Sequence, residues 1–210
     1  MKLENISGID FEKEDYESFK RICHAYDTPT NFRQKILTDY YGDLIDKASN
    51  VLEIGCGWGR NAQFFRKENH INYFAFDASS AALKFFDLLK LPKNRFFVSQ
   101  TINKKILERE YDLIYSTLVL QHIGFKTSND QIDSEDIANM LLPSLKVGGF
   151  WVSYELNVGQ NNWNPDLWLY KVFENNDKYR ILNRCMSPLE GSDEDGKSLH
   201  NLIIVQRVKL

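Results

Sequence analysis

The chain has 210 residues, a length that suits one α/β domain with a full core and is short for two independent ones. Its formal charge of −3 and the lack of a concentrated Lys/Arg stripe exclude the basic field that a phosphate backbone demands, so no nucleic acid partner is expected. The cysteines Cys23, Cys56 and Cys185 show no CxxC or CxxH pairing, which argues against a disulfide framework or a zinc site and fits a reducing compartment.

The start, MKLENISGIDFEKEDYE, is acidic where a signal peptide would be basic and then apolar, and no run reaches membrane-span length, so a cytoplasmic protein without membrane contact is expected. Apolar groups at helical spacing mark two N-terminal helices, from about Glu12 to Tyr26 and from about Phe32 to Ile45. They form the expected helical cap over 1–49, part of the same domain as the main body over 50–210.

From Asn50 the pattern changes to short apolar runs, most of them followed by a helical stretch. In order these are VLEIG, a helix from Arg60 to Glu68, INYFAFD, a helix from Ser79 to Leu91, RFFVS, YDLIYS, a helix from Ser134 to Leu142, and FWVSYEL. Such alternation is the signature of a mostly parallel sheet covered on both faces, a doubly wound, Rossmann-like α/β fold. Pro143 should end or kink the helix before it. After a further helix at roughly Pro165 to Asn175, YRILNRCM and HNLIIVQRV are joined by SPLEGSDEDGKS, which leaves no room for a crossover helix. They should pair as a hairpin, with one strand reversed against the rest.

The segment Val51-Leu52-Glu53-Ile54-Gly55-Cys56-Gly57-Trp58-Gly59 places glycines at alternate positions between a buried strand and a helix. Glycine there lets the backbone turn tightly and approach a ligand closely, and N–H groups at the helix start offer donors to an anion. A dinucleotide fingerprint would put its third glycine where Arg60 stands, which disfavours NAD. The strand INYFAFD ends in Asp77, where a carboxylate can accept from both hydroxyls of a ribose. The competing role, N-cap of the next helix, suits Ser79 and Ser80 better.

EIGCGWG, then FDAS, then YDLIYSTLVLQHI, then LLPSLKVGGFWV, in that order and with compatible spacing, resembles the class I S-adenosylmethionine-dependent methyltransferases. The resemblance covers about Asn50 to Leu156, and the terminal hairpin matches that family's seven-stranded sheet. It implies that Glu53, Gly55 and Gly57 line the methionine half of S-adenosylmethionine and that Asp77 binds the ribose; Cys56 and Ala78, beside them in the chain, are further candidate cofactor-binding residues. Where the family commonly has an acidic residue for the adenine amino group, this chain has Gln100, whose amide oxygen can accept that hydrogen bond. Ser116 and Leu118, at the end of the fourth strand, are implied to lie beside the sulfonium and its methyl.

A sulfonium methyl is already activated, so the protein mainly has to align acceptor, carbon and sulfur and exclude water. If the acceptor must lose a proton, His122 is a candidate base, against a plain packing role; Glu155 and Tyr154 are alternatives pointing to opposite faces. Aromatic residues concentrate before the first strand and after the fifth, at Tyr16, Phe19, Tyr26, Trp163, Trp168 and Phe173 among others, as core or as a lid. Asp193, Glu194 and Asp195 read as a solvated hairpin tip; no metal is expected. The expected activity is methyl transfer to oxygen or nitrogen of a small molecule, a sugar or other biosynthetic metabolite. A non-catalytic S-adenosylmethionine-binding regulatory domain and an NAD-dependent oxidoreductase are the competing readings.

Overall fold

In a computed structural model of the chain, the residues described are 43–57, 59–66, 68–117, 119–120, 134–156, 172–187 and 200–210. The seven strands form one sheet with the order β3-β2-β1-β4-β5-β7-β6. Sequence and structure therefore agree on a mostly parallel seven-stranded sheet finished by a reversed hairpin. Of the expected N-terminal cap, only the end of the second helix is described, as a helical stretch over 43–47. Among the described residues no helix is long and apolar enough to cross a membrane.

The chain divides between Ile106 and Leu107 into two compact units. In the first, β1 (Asn50–Ile54), β2 (Asn72–Phe76) and β3 (Phe96–Ser99) pair in parallel, with Glu53 opposite Ala75 and Phe76 opposite Ser99. After its first residue, every position of β1 and of β2 is buried, as strands covered on both faces require. α1 (Arg60–Phe65) follows β1, α2 (Ser80–Leu88) follows β2, and α3 (Lys104–Leu107) follows β3.

α1 and α2 both stop short of their apolar patterns, for identifiable reasons. Beyond α1, the Arg95 side chain donates to the carbonyls of Glu68 (2.8 Å), Ile71 (3.2 Å) and Arg66 (3.4 Å), gathering the chain into a turn. Beyond α2, Lys90 takes a left-handed φ of 49°, which ends the helix before Leu91. The short α3 has no apolar stripe to announce it; Asn103 starts it by accepting from the N–H groups of Lys105 and Ile106.

In the second unit β4 (Tyr111–Thr117) runs parallel to β5 (Leu145–Leu156), while β7 (His200–Arg207) is antiparallel both to β5 and to β6 (Tyr179–Ser187). Pro143 does end its helix: α4 (Ser134–Leu141) gives way to a tight turn over Leu142–Ser144. β5 begins at Leu145, five residues before the expected Phe150, because Gly148 and Gly149 carry a bulge that moves the β4 register from Tyr111–Leu145 to Leu113–Phe150. Gly148 has φ 85°, and a Cβ on Gly149 would meet the carbonyl oxygens of Lys146 and Tyr111 at 3.0 Å. Only glycine fits that close backbone approach. Around the buried Trp151 the core is aromatic: its ring lies 6.2 Å from Phe173, which meets Tyr179 edge-on at 5.4 Å.

Candidate functional site

Gly55, Gly57 and Gly59 have φ of 70°, 51° and 81°, backbone that side chains with a Cβ rarely adopt, so the glycines of the loop are required by its shape. Their N–H groups donate to the Phe76 carbonyl (2.9 Å), to Asp77 Oδ2 (2.7 Å) and to the Cys56 carbonyl (3.0 Å). Sequence reasoning left these amides open to an anionic ligand; in the structure the anion that Gly57 meets is Asp77. Gly59 has a further duty: a Cβ there would lie 2.6 Å from Leu89 Cδ1 and 3.1 Å from Phe86 Cε2. The third glycine lets the loop close onto the α2 region.

Asp77 lies at the end of β2, half-buried, and its Oδ1 accepts from the Ser79 N–H at 2.9 Å. It thus shapes the entry to α2, which begins at Ser80, and ties that entry to the glycine loop through Gly57. The Cys56 side chain is buried, and its thiol is pushed well above the ordinary range by burial first and by the nearby carboxylates of Asp77 and Glu53 second. With the side chain packed in the core, the part of Cys56 in the loop falls to its backbone. Ala78 is exposed, and Gln100 Nε2 donates to its carbonyl at 3.3 Å. That contact orients the Gln100 amide at the end of β3.

Glu53 is 3% exposed and sits beneath the loop. Its Oε1 accepts from Asn61 Nδ2 at 2.7 Å, and its Oε2 accepts from the hydroxyl of Tyr73. Neither partner was singled out in the sequence, where Asn61 reads as one polar residue of a first helical turn and Tyr73 as one aromatic of a buried strand. The signal that could have found them is the need of a buried carboxylate for donors.

In the second unit Ser116, fully buried in β4, meets Ser153 with 2.8 Å between hydroxyl oxygens, and Ser153 also approaches Glu155 Oε1 at 3.4 Å. Glu155 Oε2 accepts from the backbone N–H groups of Val119 (2.8 Å) and Leu120 (3.0 Å). Glu155 is 1% exposed, and burial raises its carboxyl from 4.5 to about 7 despite these donors. Tyr154, on the opposite face, is equally buried. Leu118, His122, Trp163 and Trp168 lie outside the described residues.

The pattern of the methyltransferase-domain family matches residues 26–172. The chain belongs to this family. The resemblance to class I S-adenosylmethionine-dependent methyltransferases drawn from the glycine loop and Asp77 is thereby upheld. Over 112 residues the chain is 27% identical to a malonyl-[acyl-carrier protein] O-methyltransferase of Hamiltonella defensa subsp. Acyrthosiphon pisum (strain 5AT), a match spanning 50% of this chain and 40% of that relative. Among solved structures it is similar in fold to the plantazolicin methyltransferase BpumL in complex with a triazolic desmethylPZN analogue and SAH (TM-score 0.66, 15% identity, 94% of this chain and 92% of that one). It is likewise similar to the N-methyltransferase NodS of Bradyrhizobium japonicum WM9 in complex with S-adenosyl-L-homocysteine (TM-score 0.63, 17% identity, 93% and 94%). Within this methyltransferase-domain chain, the glycine loop, Asp77 and Gln100 are all carried by the strand ends of the first unit, the end at which open α/β sheets bind their ligands.

Proposed function

We propose that the chain transfers the methyl group of S-adenosylmethionine to oxygen or nitrogen of a small-molecule acceptor, a sugar or another biosynthetic metabolite, in the cytoplasm. The observation that carries this is the 2.7 Å hydrogen bond from Gly57 to Asp77, which joins the glycine loop to the acidic end of β2. The chemistry of these groups fits the cofactor. Ribose hydroxyls are donors and the Asp77 carboxylate offers about four acceptor positions. Gly55, Cys56 and Gly57 present backbone to the methionine half, Glu53 supports them from below, and Ala78 and Gln100 meet the adenine. The family resemblance further assigns Ser116 and Leu118 to the sulfonium. When bound, S-adenosylmethionine supplies an activated methyl group; the chain's own residues bind it, orient the acceptor and keep water out.

For an acceptor that must lose a proton, His122 and Glu155 are the proposed proton-accepting groups. Raised to about 7, Glu155 exchanges a proton near neutral pH, the range a base needs. A proton reaches it through the hydroxyls of Ser116 and Ser153. Among similar proteins one is named for oxygen and another for nitrogen methylation, which supports the pair of acceptor atoms without choosing between them.

Release of S-adenosylhomocysteine from S-adenosylmethionine, followed across hydroxyl-bearing and amine-bearing metabolites, tests the proposal. Acceptor-dependent release upholds it. Tight S-adenosylhomocysteine binding without release from any acceptor would instead favour the regulatory reading.

A further inference from the structure

Glu53 and Asn61 stand at the two ends of the glycine loop, Glu53 near the end of β1 and Asn61 in the first turn of α1. Their 2.7 Å hydrogen bond closes the loop like a staple across its base. The second oxygen of the same carboxylate is held by Tyr73 from β2. All of this is out of water: Glu53 is 3%, Asn61 5% and Tyr73 0% exposed. A buried carboxylate is tolerated only while donors meet it, so each of these two side chains helps to fix where it rests. Nor can Tyr73 drift. Its ring is packed against Phe65 (5.6 Å), Phe86 (6.1 Å, stacked) and Phe96 (5.4 Å), elements on three sides.

We infer that Asn61 and Tyr73 are positioning residues for cofactor binding, gripping Glu53 from two sides so that residues 55–59 keep the shape that receives the methionine half of S-adenosylmethionine. The inference rests on the reading of this loop and Asp77 as the cofactor site. The loop then has two fixed points, the Glu53–Asn61 staple at its base and the Gly57–Asp77 hydrogen bond at its crest. Loss of either donor removes one of the contacts that fix this buried carboxylate, and the loop above it shifts as the carboxylate resettles. Ligand contacts made through backbone atoms are sensitive to such shifts, because backbone cannot compensate by changing rotamer.

Three variants separate positioning from plain stability. Tyr73→Phe removes one oxygen atom and keeps the ring among its three neighbours; Asn61→Ala removes the other donor; Phe96→Leu loosens the same aromatic cluster without touching the carboxylate. Each is titrated calorimetrically with S-adenosylhomocysteine, and its thermal midpoint is measured without ligand. Tyr73→Phe and Asn61→Ala are expected to weaken binding by about tenfold or more. Phe96→Leu should lower the midpoint and leave the affinity as in the unsubstituted chain. Unchanged affinity in both donor variants overturns the inference, as does an equal loss in Phe96→Leu, which would reduce the effect to destabilisation. If Tyr73→Phe does not fold, Asn61→Ala decides alone. Failure of the unsubstituted chain to bind S-adenosylhomocysteine would strike the cofactor reading itself, a separate and earlier result.

Discussion

Asp77 accepts the Gly57 N–H on one oxygen and the Ser79 N–H on the other, and so joins the glycine loop to the entry of α2. Replacing it with alanine is expected to weaken S-adenosylhomocysteine binding by about 1.5 to 3 kcal/mol, the scale of hydrogen bonds to a charged group. Calorimetric titration checks this, and unchanged affinity would remove the ribose assignment. Glu155 gives a pH signature. Burial lifts its carboxyl from 4.5 to about 7, so between those values the folded chain holds a proton that the unfolded chain has released. Its contribution to stability is therefore full below about pH 4 and lost as pH rises through about 7. Glu155→Gln keeps the acceptor for Val119 and Leu120 but cannot titrate. Relative to the unsubstituted chain it should gain stability on the order of 3 kcal/mol between about pH 5 and about pH 8, read by chemical denaturation; a difference that does not vary with pH would contradict the burial argument. Asp77 was legible because a carboxylate after a buried strand has few reasons to be there. Asn61 and Tyr73 were not, because side chains that serve a buried charge look like any polar or aromatic core neighbour until the charge is located.

At the scale of elements, Gly59 is what lets the glycine loop close onto the α2 region. Gly59 combines a φ of 81° with a Cβ position only 2.6 Å from Leu89 Cδ1, so Gly59→Ala meets both strain and collision. It is expected to cost about 1 to 3 kcal/mol of folding stability, measured as a lowered thermal midpoint, with the α2 region displaced. The strands were legible from their apolar runs, and the reversal at the end followed from a connection too short for a crossover. Their ends were less so. Helix α1 stops where the Arg95 guanidinium collects carbonyls from residues 66–71, a contact across 24 to 29 positions of sequence that no local pattern carries. β5 starts early because a glycine bulge continues the strand through Gly148 and Gly149, ahead of the apolar run that begins at Phe150.

Across the whole molecule, the seven-stranded sheet with one reversed terminal strand follows the reading from sequence, while the family match over 26–172 reaches beyond the Asn50 to Leu156 over which the resemblance was drawn. A formal charge of −3 favours a small acceptor over a nucleic acid. The acceptor itself is not legible in these features, since candidate residues for it, such as His122, belong to segments whose apolar and polar spacing serves packing and binding alike. The cofactor is the claim on which the other assignments stand, and calorimetric titration with S-adenosylmethionine, S-adenosylhomocysteine and NAD tests it most directly. Micromolar or tighter binding of both sulfur ligands and none of NAD is expected; tight NAD binding without either sulfur ligand would overturn the cofactor assignment.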